Sequence, residues 1–158
     1  MTAAPRPPEQ ARPMVGPASP TDRSAVEALL KAAALPLDGL DDAWARLLVA
    51  RDDQGAVVGA AGLERHDDVG LLRSVVVAPP WRGRGVAGAL CAQVIARARG
   101  EGIGAIHLLT TTAEAWFAAR GFRALPRSDL PAALAGSAEL TGACPASAVA
   151  MVLESGTP

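Results

Sequence analysis

The stretch 71–90, LLRSVVVAPPWRGRGVAGAL, indicates the fold more strongly than any other part of the chain. Residues 71–77 are almost all apolar, which is typical of a strand covered on both faces. A Pro-Pro corner and an Arg/Gly-rich turn follow, and an amphipathic helix then runs to a basic last turn and a glycine at residue 100. Such a turn at a helix N-terminus presents backbone N–H groups that suit a phosphorylated ligand, and Arg82 and Arg84 add cationic donors.

The Arg-Gly-Arg-Gly tetrapeptide at 82–85 is open to three interpretations: a phosphate cradle, a fragment of an RNA-binding arginine-glycine segment, or a solvated loop. Its strand–turn–helix context favours the cradle. An ATP-binding P-loop needs a Lys directly after its last glycine, and a dinucleotide fingerprint needs Gly-x-Gly-x-x-Gly. Neither pattern is present here.

The rest of the chain alternates strand and helix patterns around this centre. Half of the 158 residues are apolar, which is ample for one domain over 14–158, and the Pro/Ala-rich segment 1–13 is predicted to be a disordered tail. Helices are predicted from 21–22 to 30, at 41–44, at 113–120 and near 129. Strands are predicted at 14–15, 46–50, 56–63, 105–110, 122–125 and 147–153. This alternation predicts an α/β fold with a mixed sheet.

The net charge and the cysteine content limit which ligands and partners the chain is expected to bind. A net charge of −1 argues against general affinity for nucleic acid or acidic membranes. The chain shows neither a signal-peptide pattern nor an apolar run of the roughly 20 residues that span a bilayer. Its two cysteines have no metal-ligand spacing, so we expect no metal site, no disulfide framework and a cytoplasmic location.

Two motifs resemble those of the GCN5-related N-acetyltransferases, the GNAT superfamily: Arg82-x-x-Gly85-x-Ala87, and AEAWFAARGF at 113–122. The resemblance covers 14–153. It implies a mixed, mostly antiparallel central sheet splayed at a bulged strand, with helices on both faces. It also implies acetyl-CoA as the donor and a small-molecule amine as the acceptor. The residues it assigns to the cofactor are Val75 and Val77 for the pantetheine arm, Arg82, Gly83, Arg84, Gly85, Val86 and Ala87 for the pyrophosphate, and Thr110 and Phe117.

The family's chemistry is direct attack of a neutral amine on the thioester, which requires a base and an oxyanion donor. Glu64 and His66 are the candidate bases. Partial burial after an apolar strand would raise the carboxyl pKa of Glu64, and the alternative is a solvated strand end. His66 is interpreted rather as a surface loop residue. The oxyanion donor is expected to be the N–H of Val76 or Val77. Phe117 stands where many relatives carry an acidic tyrosine, and the chain has no tyrosine. His107 is interpreted as structural.

For the acceptor, Arg73 and Ser74 on the central strand, Thr112 and Ser147 are the candidate contacts. Arg73 either meets an acceptor anion or pairs with a neighbouring strand. The segment LLTTTAEAWF resembles N-acetylglutamate synthase domains, but Thr112 replaces the arginine found there. The later segment 137–151 and LLRS more closely resemble arsenic-resistance N-acetyltransferases, and we expect that closer relationship.

Two other functions stay open at this point. One is acetylation of glutamate or another amino acid for biosynthesis, despite Thr112. The other is an acetyl-CoA-binding sensor that lost catalysis together with the tyrosine. Homodimer formation is also open, with Trp44 and Trp81 as candidate contacts.

Overall fold

The computed structural model describes residues 12–154, which form one seven-stranded sheet with α-helices on both faces. The predicted tail lies outside the described residues except for Arg12 and Pro13. The strands are β1 (Met14–Pro17), β2 (Leu48–Arg51), β3 (Val57–His66), β4 (Val69–Val77), β5 (Ala105–Thr110), β6 (Arg123–Leu125) and β7 (Val149–Glu154). The helices are α1 (Arg23–Ala32), α2 (Leu40–Trp44), α3 (Val86–Gly100) and α4 (Glu114–Ala118).

The strand order is β1-β2-β3-β4-β5-β7-β6, and only β4 and β5 run parallel. The expectation of a mixed, mostly antiparallel sheet is therefore confirmed. β3 and β4 are longer than predicted, because the turn between them takes only Asp67 and Asp68. Asp67 adopts φ +58°, a left-handed conformation that Asp tolerates in tight hairpins.

The short helix predicted to start at residues 129–131 is found as 3₁₀ turns and not as an α-helix. Two separate 3₁₀ turns, Arg127–Asp129 and Ala132–Leu134, occupy that region. Pro126 and Pro131 precede them, and a proline inside a helix removes a backbone donor and clashes with the preceding turn. The chain there is therefore a series of short turns, ending in a π-helical turn at Glu139–Ala143.

Two apolar clusters hold the helices against the sheet. Leu90, Cys91 and Val94 of α3 pack with Leu72 and Val77 on one face. Val26 and Leu30 of α1 pack with Val49, Ala60 and Val76 on the other. Within residues 12–154, no helix has the length and hydropathy needed to cross a bilayer.

A β-bulge interrupts the pairing of β3 with β4 halfway along. Ala60 pairs with Val76 and Gly62 pairs with Arg73, so Ala61 alone lies opposite both Ser74 and Val75. Ser74 takes φ +60°, an unusual conformation for a residue other than glycine. One extra residue on one strand bends it and increases its twist.

Beyond the bulge, β4 separates from β5. The two strands pair only from Val69 to Leu71 on β4, against Ala105 to His107 on β5. The remainder of β5 pairs with β7 up to Thr110. The expected splay at a bulged strand is confirmed, and it leaves a gap in the centre of the sheet.

Candidate active site

The gap between β4 and β5 opens into a cavity of about 620 Å³, which is named the acceptor cavity after the second substrate that the resemblance implies. Its walls include β4 from Leu72 to Val75, the segment from Leu108 to Ala113, and residues 144, 145 and 148 before β7. A second cavity of about 450 Å³ lies over the turn that precedes α3. Ala87 and Trp116 line both cavities, so the two form one continuous groove.

One wall of this groove is an unpaired strand edge. Ala78 N–H donates to the Val58 carbonyl at 2.8 Å, so the backbone of Ala78 faces β3. Backbone groups alternate in direction along a strand, so those of Val76 also face β3, and those of Val75 and Val77 face the gap. The register thus gives Val75 and Val77 the orientation needed to bind an extended ligand. It directs Val76 N–H into the sheet, which does not fit the expected oxyanion role.

The turn at the other end of the groove is open above its glycines. Gly83 and Gly85 adopt φ +75° and +81°, and a Cβ at either would meet no atom within 4 Å. Gly85 is the N-cap of α3, whose first N–H groups point toward the cavity end of the helix. Arg82 Nε donates to the Val77 carbonyl at 3.0 Å, and Arg84 Nε donates to the Pro80 carbonyl at 3.1 Å. These bonds fix both side chains beside the turn, although only Arg82 lines the cavity.

Trp116 and Arg120 also belong to this end of the groove and were not foreseen from the sequence. The Arg120 guanidinium lies 3.5 Å from the Trp116 ring centroid, and its Nη1 donates to the Trp116 carbonyl. Its Nη2 would lie 3.4 Å from a Cβ on Gly88, in the first turn of α3. A guanidinium at the positive end of a helix dipole is unfavourable unless an anion joins it, so this end of the groove suits a multiply charged anion. The AEAWFAARGF motif contains both residues, and their shared i, i+4 helical spacing was the available signal.

At the acceptor side, Arg73 is fully buried in an ion pair. Its Nη1 donates to Glu64 Oε2 at 2.8 Å, and the two side chains are 0 % and 1 % exposed. Arg73 thus pairs with the neighbouring strand β3, and it also lines the acceptor cavity. The bulge inverts the faces of β4, so Arg73 shares a face with Val76 and not with Val75 and Val77 as the alternation predicted. A Cβ on Gly39 would lie 2.7 Å from Arg73 Nη1, which explains a glycine at this point of close approach.

Glu64 does not have the properties expected of the base. Burial acts to raise its pKa, but hydrogen bonds from Arg73, His66 and Ser137 outweigh burial and hold the pKa below its usual value of 4.5. His66 Nε2 lies 2.8 Å from the other carboxylate oxygen. Glu64 is also absent from the lining of the groove. The expectation of a raised pKa at Glu64 is therefore wrong.

Glu139 is the carboxylate that does line the acceptor cavity. Its side chain is 5 % exposed, and its Oε2 lies 3.7 Å from Arg73 Nε. Burial raises its pKa, partly offset by the Arg73 charge and by a hydrogen bond from the Cys144 thiol. Burial and the Glu139 charge raise the pKa of Cys144 to about 12, which keeps the thiol protonated. The sequence signal for Glu139 was one acidic residue between apolar neighbours in a segment without periodicity.

The remaining predicted residues divide between the cavity and the surface. Ser74, Thr110, Thr112 and Phe117 line the acceptor cavity. Thr110 Oγ1 accepts a hydrogen bond from Ala113 N–H, so its hydroxyl also closes the turn after β5. Ser147 is exposed and does not line the cavity, whereas its neighbours Pro145 and Ala148 do.

His107 is buried in β5, as expected of a structural residue. Its Nδ1 has no hydrogen-bond partner among the described residues. Burial lowers its pKa below the usual value of 6.5. His107 therefore stays neutral near pH 7, away from the groove.

A central sheet opened by a bulge, with a phosphate cradle at the end of the opening, defines an α/β protein that binds a long phosphorylated cofactor beside a second substrate. The model of the acetyltransferase (GNAT) family matches residues 18–122, and the chain belongs to that family. Members of this family transfer an acetyl group from acetyl-CoA to an amine. The expected enzyme class and donor are thus confirmed at the level of the family.

The similar curated proteins are amino-acid acetyltransferases. That of Ralstonia nicotianae is 37 % identical over 82 residues, 51 % of this chain and 18 % of its own length. That of Neisseria meningitidis serogroup A is 33 % identical over 82 residues, 51 % of this chain and 19 % of its own length. The match therefore spans less than a fifth of either relative.

Solved structures support the fold across nearly the whole chain. N-acetylglutamate synthase from Neisseria gonorrhoeae, complexed with coenzyme A and N-acetyl-glutamate, superimposes with a TM-score of 0.79 at 24 % identity, over 94 % of this chain and 36 % of its own. Rv2747 from Mycobacterium tuberculosis, in complex with CoA, gives a TM-score of 0.77 at 25 % identity, over 90 % of this chain and 99 % of its own.

Proposed function

We propose that this protein acetylates the amine of an amino-acid-like small molecule, with acetyl-CoA as the donor. The observation that carries the proposal is the gap between β4 and β5, which connects the cradle before α3 to the cavity beside Glu139. Two substrates that meet in this gap would approach from its opposite ends. The thioester would then lie next to the bulge.

The residues along the groove match the chemical groups of coenzyme A in the order in which they occur, from the phosphates to the pantetheine arm. The N–H groups of 83–87 and the cations Arg82 and Arg120 would hold the phosphates, since charge-assisted bonds to phosphate are the strongest available there. The backbone of Val77 and then Val75 would pair with the two amides of the pantetheine arm, as a neighbouring strand does. Phe117 and Trp116 would cover the arm from the α4 side.

We assign the oxyanion donor to the Val75 N–H. The donor must face the gap and lie at the boundary between the cofactor and acceptor ends of the groove. Val75 meets both conditions, because it lies at the bulge and lines the acceptor cavity. The thiolate leaves without a tyrosine, which is tolerable for a thiol whose pKa is near that of cysteine, about 8.5.

The acceptor class rests on the amino-acid acetyltransferase relatives, and Thr112 narrows it. Thr112 lines the acceptor cavity at the position where N-acetylglutamate synthase domains carry arginine. Arg73 does not replace that cation, because Glu64 already neutralises it. We therefore favour an amino-acid-like acceptor without a second carboxylate. Amino-acid-like arsenicals stay candidates on the 137–151 resemblance alone.

The two free thiols, Cys91 and Cys144, support the cytoplasmic location that we propose. Homodimer formation stays a prediction. Trp44 and Trp81, its candidate contacts, are half-buried against the two apolar clusters of this chain.

The test is acetyl-CoA turnover against a panel of the L-amino acids, small primary amines and amino-acid-like arsenicals, with products identified by mass spectrometry. We expect neutral amino acids or their analogues to be acetylated faster than glutamate. Turnover of glutamate above all others would support the biosynthetic alternative. Tight acetyl-CoA binding with no turnover across the panel would indicate the sensor instead.

A further inference from the structure

We propose that the Glu139 carboxylate is the general base that takes a proton from the acceptor's ammonium group. This inference rests on the acetyl transfer proposed above and names the group that completes its chemistry. Glu139 belongs to the π-helical turn Glu139–Ala143, outside the segment that the family model matches.

The position of Glu139 is the first argument. Among the described residues, it is the one carboxylate in the lining of the acceptor cavity. Its backbone N–H donates to Ser137 Oγ at 3.2 Å, and Ser137 is fully buried, which fixes the start of the turn. Glu139 therefore lines the cavity from a segment whose start is anchored.

The charges around Glu139 are the second argument. Two carboxylates, Glu64 and Glu139, contact one guanidinium, that of Arg73. Glu64 takes the shorter contact, 2.8 Å against 3.7 Å, so it neutralises most of the Arg73 charge. The Cys144 thiol donates to Glu139, and the charges of Arg73 and Arg127 act on Cys144. Glu139 thus keeps a basic oxygen available for a proton, while Glu64 does not.

The directions of the two pKa shifts agree with this division. The pKa of Glu64 is lowered by its hydrogen bonds, and that of Glu139 is raised by burial. Paired carboxyl groups whose environments separate their pKa values are typical of sites where one group handles protons. A base works best when its pKa lies close to the working pH.

The reaction balances as follows. The acceptor ammonium gives one proton to Glu139 and becomes a neutral amine. Its nitrogen attacks the thioester carbonyl carbon, the C–N bond forms and the C–S bond breaks. The coenzyme A thiolate leaves and takes up the second nitrogen proton, and Glu139 returns its proton to solvent. The sum is amide, free thiol and one proton released.

A comparison of two amines of similar size distinguishes a base from a residue that only shapes the site. Methylamine is charged at pH 7 and needs a base, whereas hydroxylamine is neutral and does not. Wild-type protein and Glu139→Gln are assayed with each amine at pH 7, and the uncatalysed reaction is subtracted. We expect Glu139→Gln to lower the methylamine rate about 100-fold, in line with general-base contributions. The hydroxylamine rate should change less than threefold.

Other outcomes count against the inference. An equal loss with both amines would mean that Glu139 only shapes the site, and no loss with either would exclude it as the base. Wild-type transfer to hydroxylamine but not to methylamine would mean that the site contains no base. No transfer to either amine counts against the inference, whereas the proposed function is overturned only if the amino-acid panel shows no turnover either.

Glu139→Asp and a measurement of folding complete the test. Aspartate keeps the carboxylate but is one methylene shorter, so the methylamine rate should recover in part relative to Glu139→Gln. Acetyl-CoA affinity should be unchanged in both variants, and the thermal midpoint should fall only slightly, because Glu139 is the more distant of the two partners of Arg73. A joint loss of cofactor affinity and stability, without the difference between the amines, would instead assign Glu139 a structural role.

Discussion

Arg73 and its two carboxylates show how a buried charge is made tolerable. A guanidinium with no exposed surface is costly in the protein interior unless it is paired and hydrogen-bonded. Glu64 supplies the close partner, Ser74 Oγ accepts from Nε at 3.2 Å, and Glu139 adds a more distant charge. The arrangement separates one carboxylate that neutralises Arg73 from one that lines the acceptor cavity.

Glu64→Gln tests the structural half of this arrangement. The change removes the charge that compensates Arg73, so we expect the free energy of unfolding to fall by about 3 kcal/mol, as for other broken buried pairs. Urea denaturation at pH 7 measures it. The matched control is Glu101→Gln, which breaks ion pairs with Arg46 and Arg65 whose side chains are about one-third exposed. Each of these pairs should contribute less than about 1 kcal/mol.

The pH dependence of the free energy of unfolding should also reflect the ion pair between Glu64 and Arg73. The folded pKa of Glu64 lies below its usual 4.5, so its stabilisation is fully present above pH 4.5 and is lost as the pH falls through the folded value. Urea midpoints measured from pH 6 downward should therefore fall more steeply below pH 4.5 for wild-type protein than for Glu64→Gln. Parallel curves would contradict the assignment of a lowered pKa to Glu64.

Thr112→Arg tests the proposal that Thr112 disfavours glutamate as the acceptor. The substitution places a cation at an exposed position in the acceptor cavity, where N-acetylglutamate synthase domains carry arginine. We expect kcat/KM for glutamate to rise at least tenfold relative to glutamine, since a charge-assisted bond to a carboxylate is worth about 1.5–3 kcal/mol. Thr111→Arg, which changes the adjacent cavity residue, is the control for charge alone. An equal gain in both variants would show that position 112 has no special role.

The bulge in β4 decides which side chains face the acceptor, and it is where pattern reading from the sequence failed. Strict alternation placed Arg73 with Val75 and Val77, but the extra residue at Ser74 and Val75 inverts the face of everything before it. Ser74 gives no local warning, because a serine at φ +60° has no sequence signature of the kind that glycine provides. The apolar strand and the Gly-rich turn were predictable, since local composition specifies both.

Gly85→Val tests the turn that opens α3. A valine at φ +81° strains the backbone by about 1–2 kcal/mol and projects a branched side chain into the open space of the cradle. We expect acetyl-CoA affinity, measured by calorimetric titration, to fall at least tenfold. Gly102→Val is the control, because Gly102 has φ +82°, equally open surroundings and no place in the groove. It should lose similar stability and bind acetyl-CoA normally.

Arg120→Ala tests whether Arg120, which follows α4, contributes to phosphate binding at the cradle. Losing one charge-assisted contact to phosphate should weaken acetyl-CoA binding about tenfold, and the salt dependence of binding should become shallower. Arg99→Ala removes an exposed arginine from the opposite end of α3 and should leave binding unchanged. If both variants weaken binding to a similar extent, Arg120 contributes only general electrostatic attraction and no specific contact.

The molecule as a whole was predictable where helices and strands alternate regularly, and not where they do not. The strand and helix positions and the cofactor end of the groove follow from residues 46–125, where periodicity is strong, whereas the order of the strands came only from the structure. The segment between β6 and β7 is a run of prolines, short turns and one π-helical turn, stabilised by tertiary contacts. Glu139 lies in that segment, which is why the base was assigned to Glu64 instead.

Cofactor binding should stabilise the whole domain. Acetyl-CoA at a hundredfold excess over its Kd adds about 2.7 kcal/mol to the free energy of unfolding. For a domain of this size the thermal midpoint should rise by roughly 5–10 °C. ATP and NAD at the same concentration are the controls and should give much smaller shifts. No shift with acetyl-CoA would remove the basis of the proposed function.

Because β4 separates from β5, the backbone groups of β4 that face the gap beyond Leu71 have no neighbouring strand to pair with at the centre of the sheet. The pantetheine arm would act as that missing strand, so the free protein carries an internal edge with amide groups open to water. Hydrogen–deuterium exchange should therefore find the amides of Val75 and Val77 fast in the free protein and slow with acetyl-CoA bound. Fold and cofactor would then complete a single hydrogen-bond network between them.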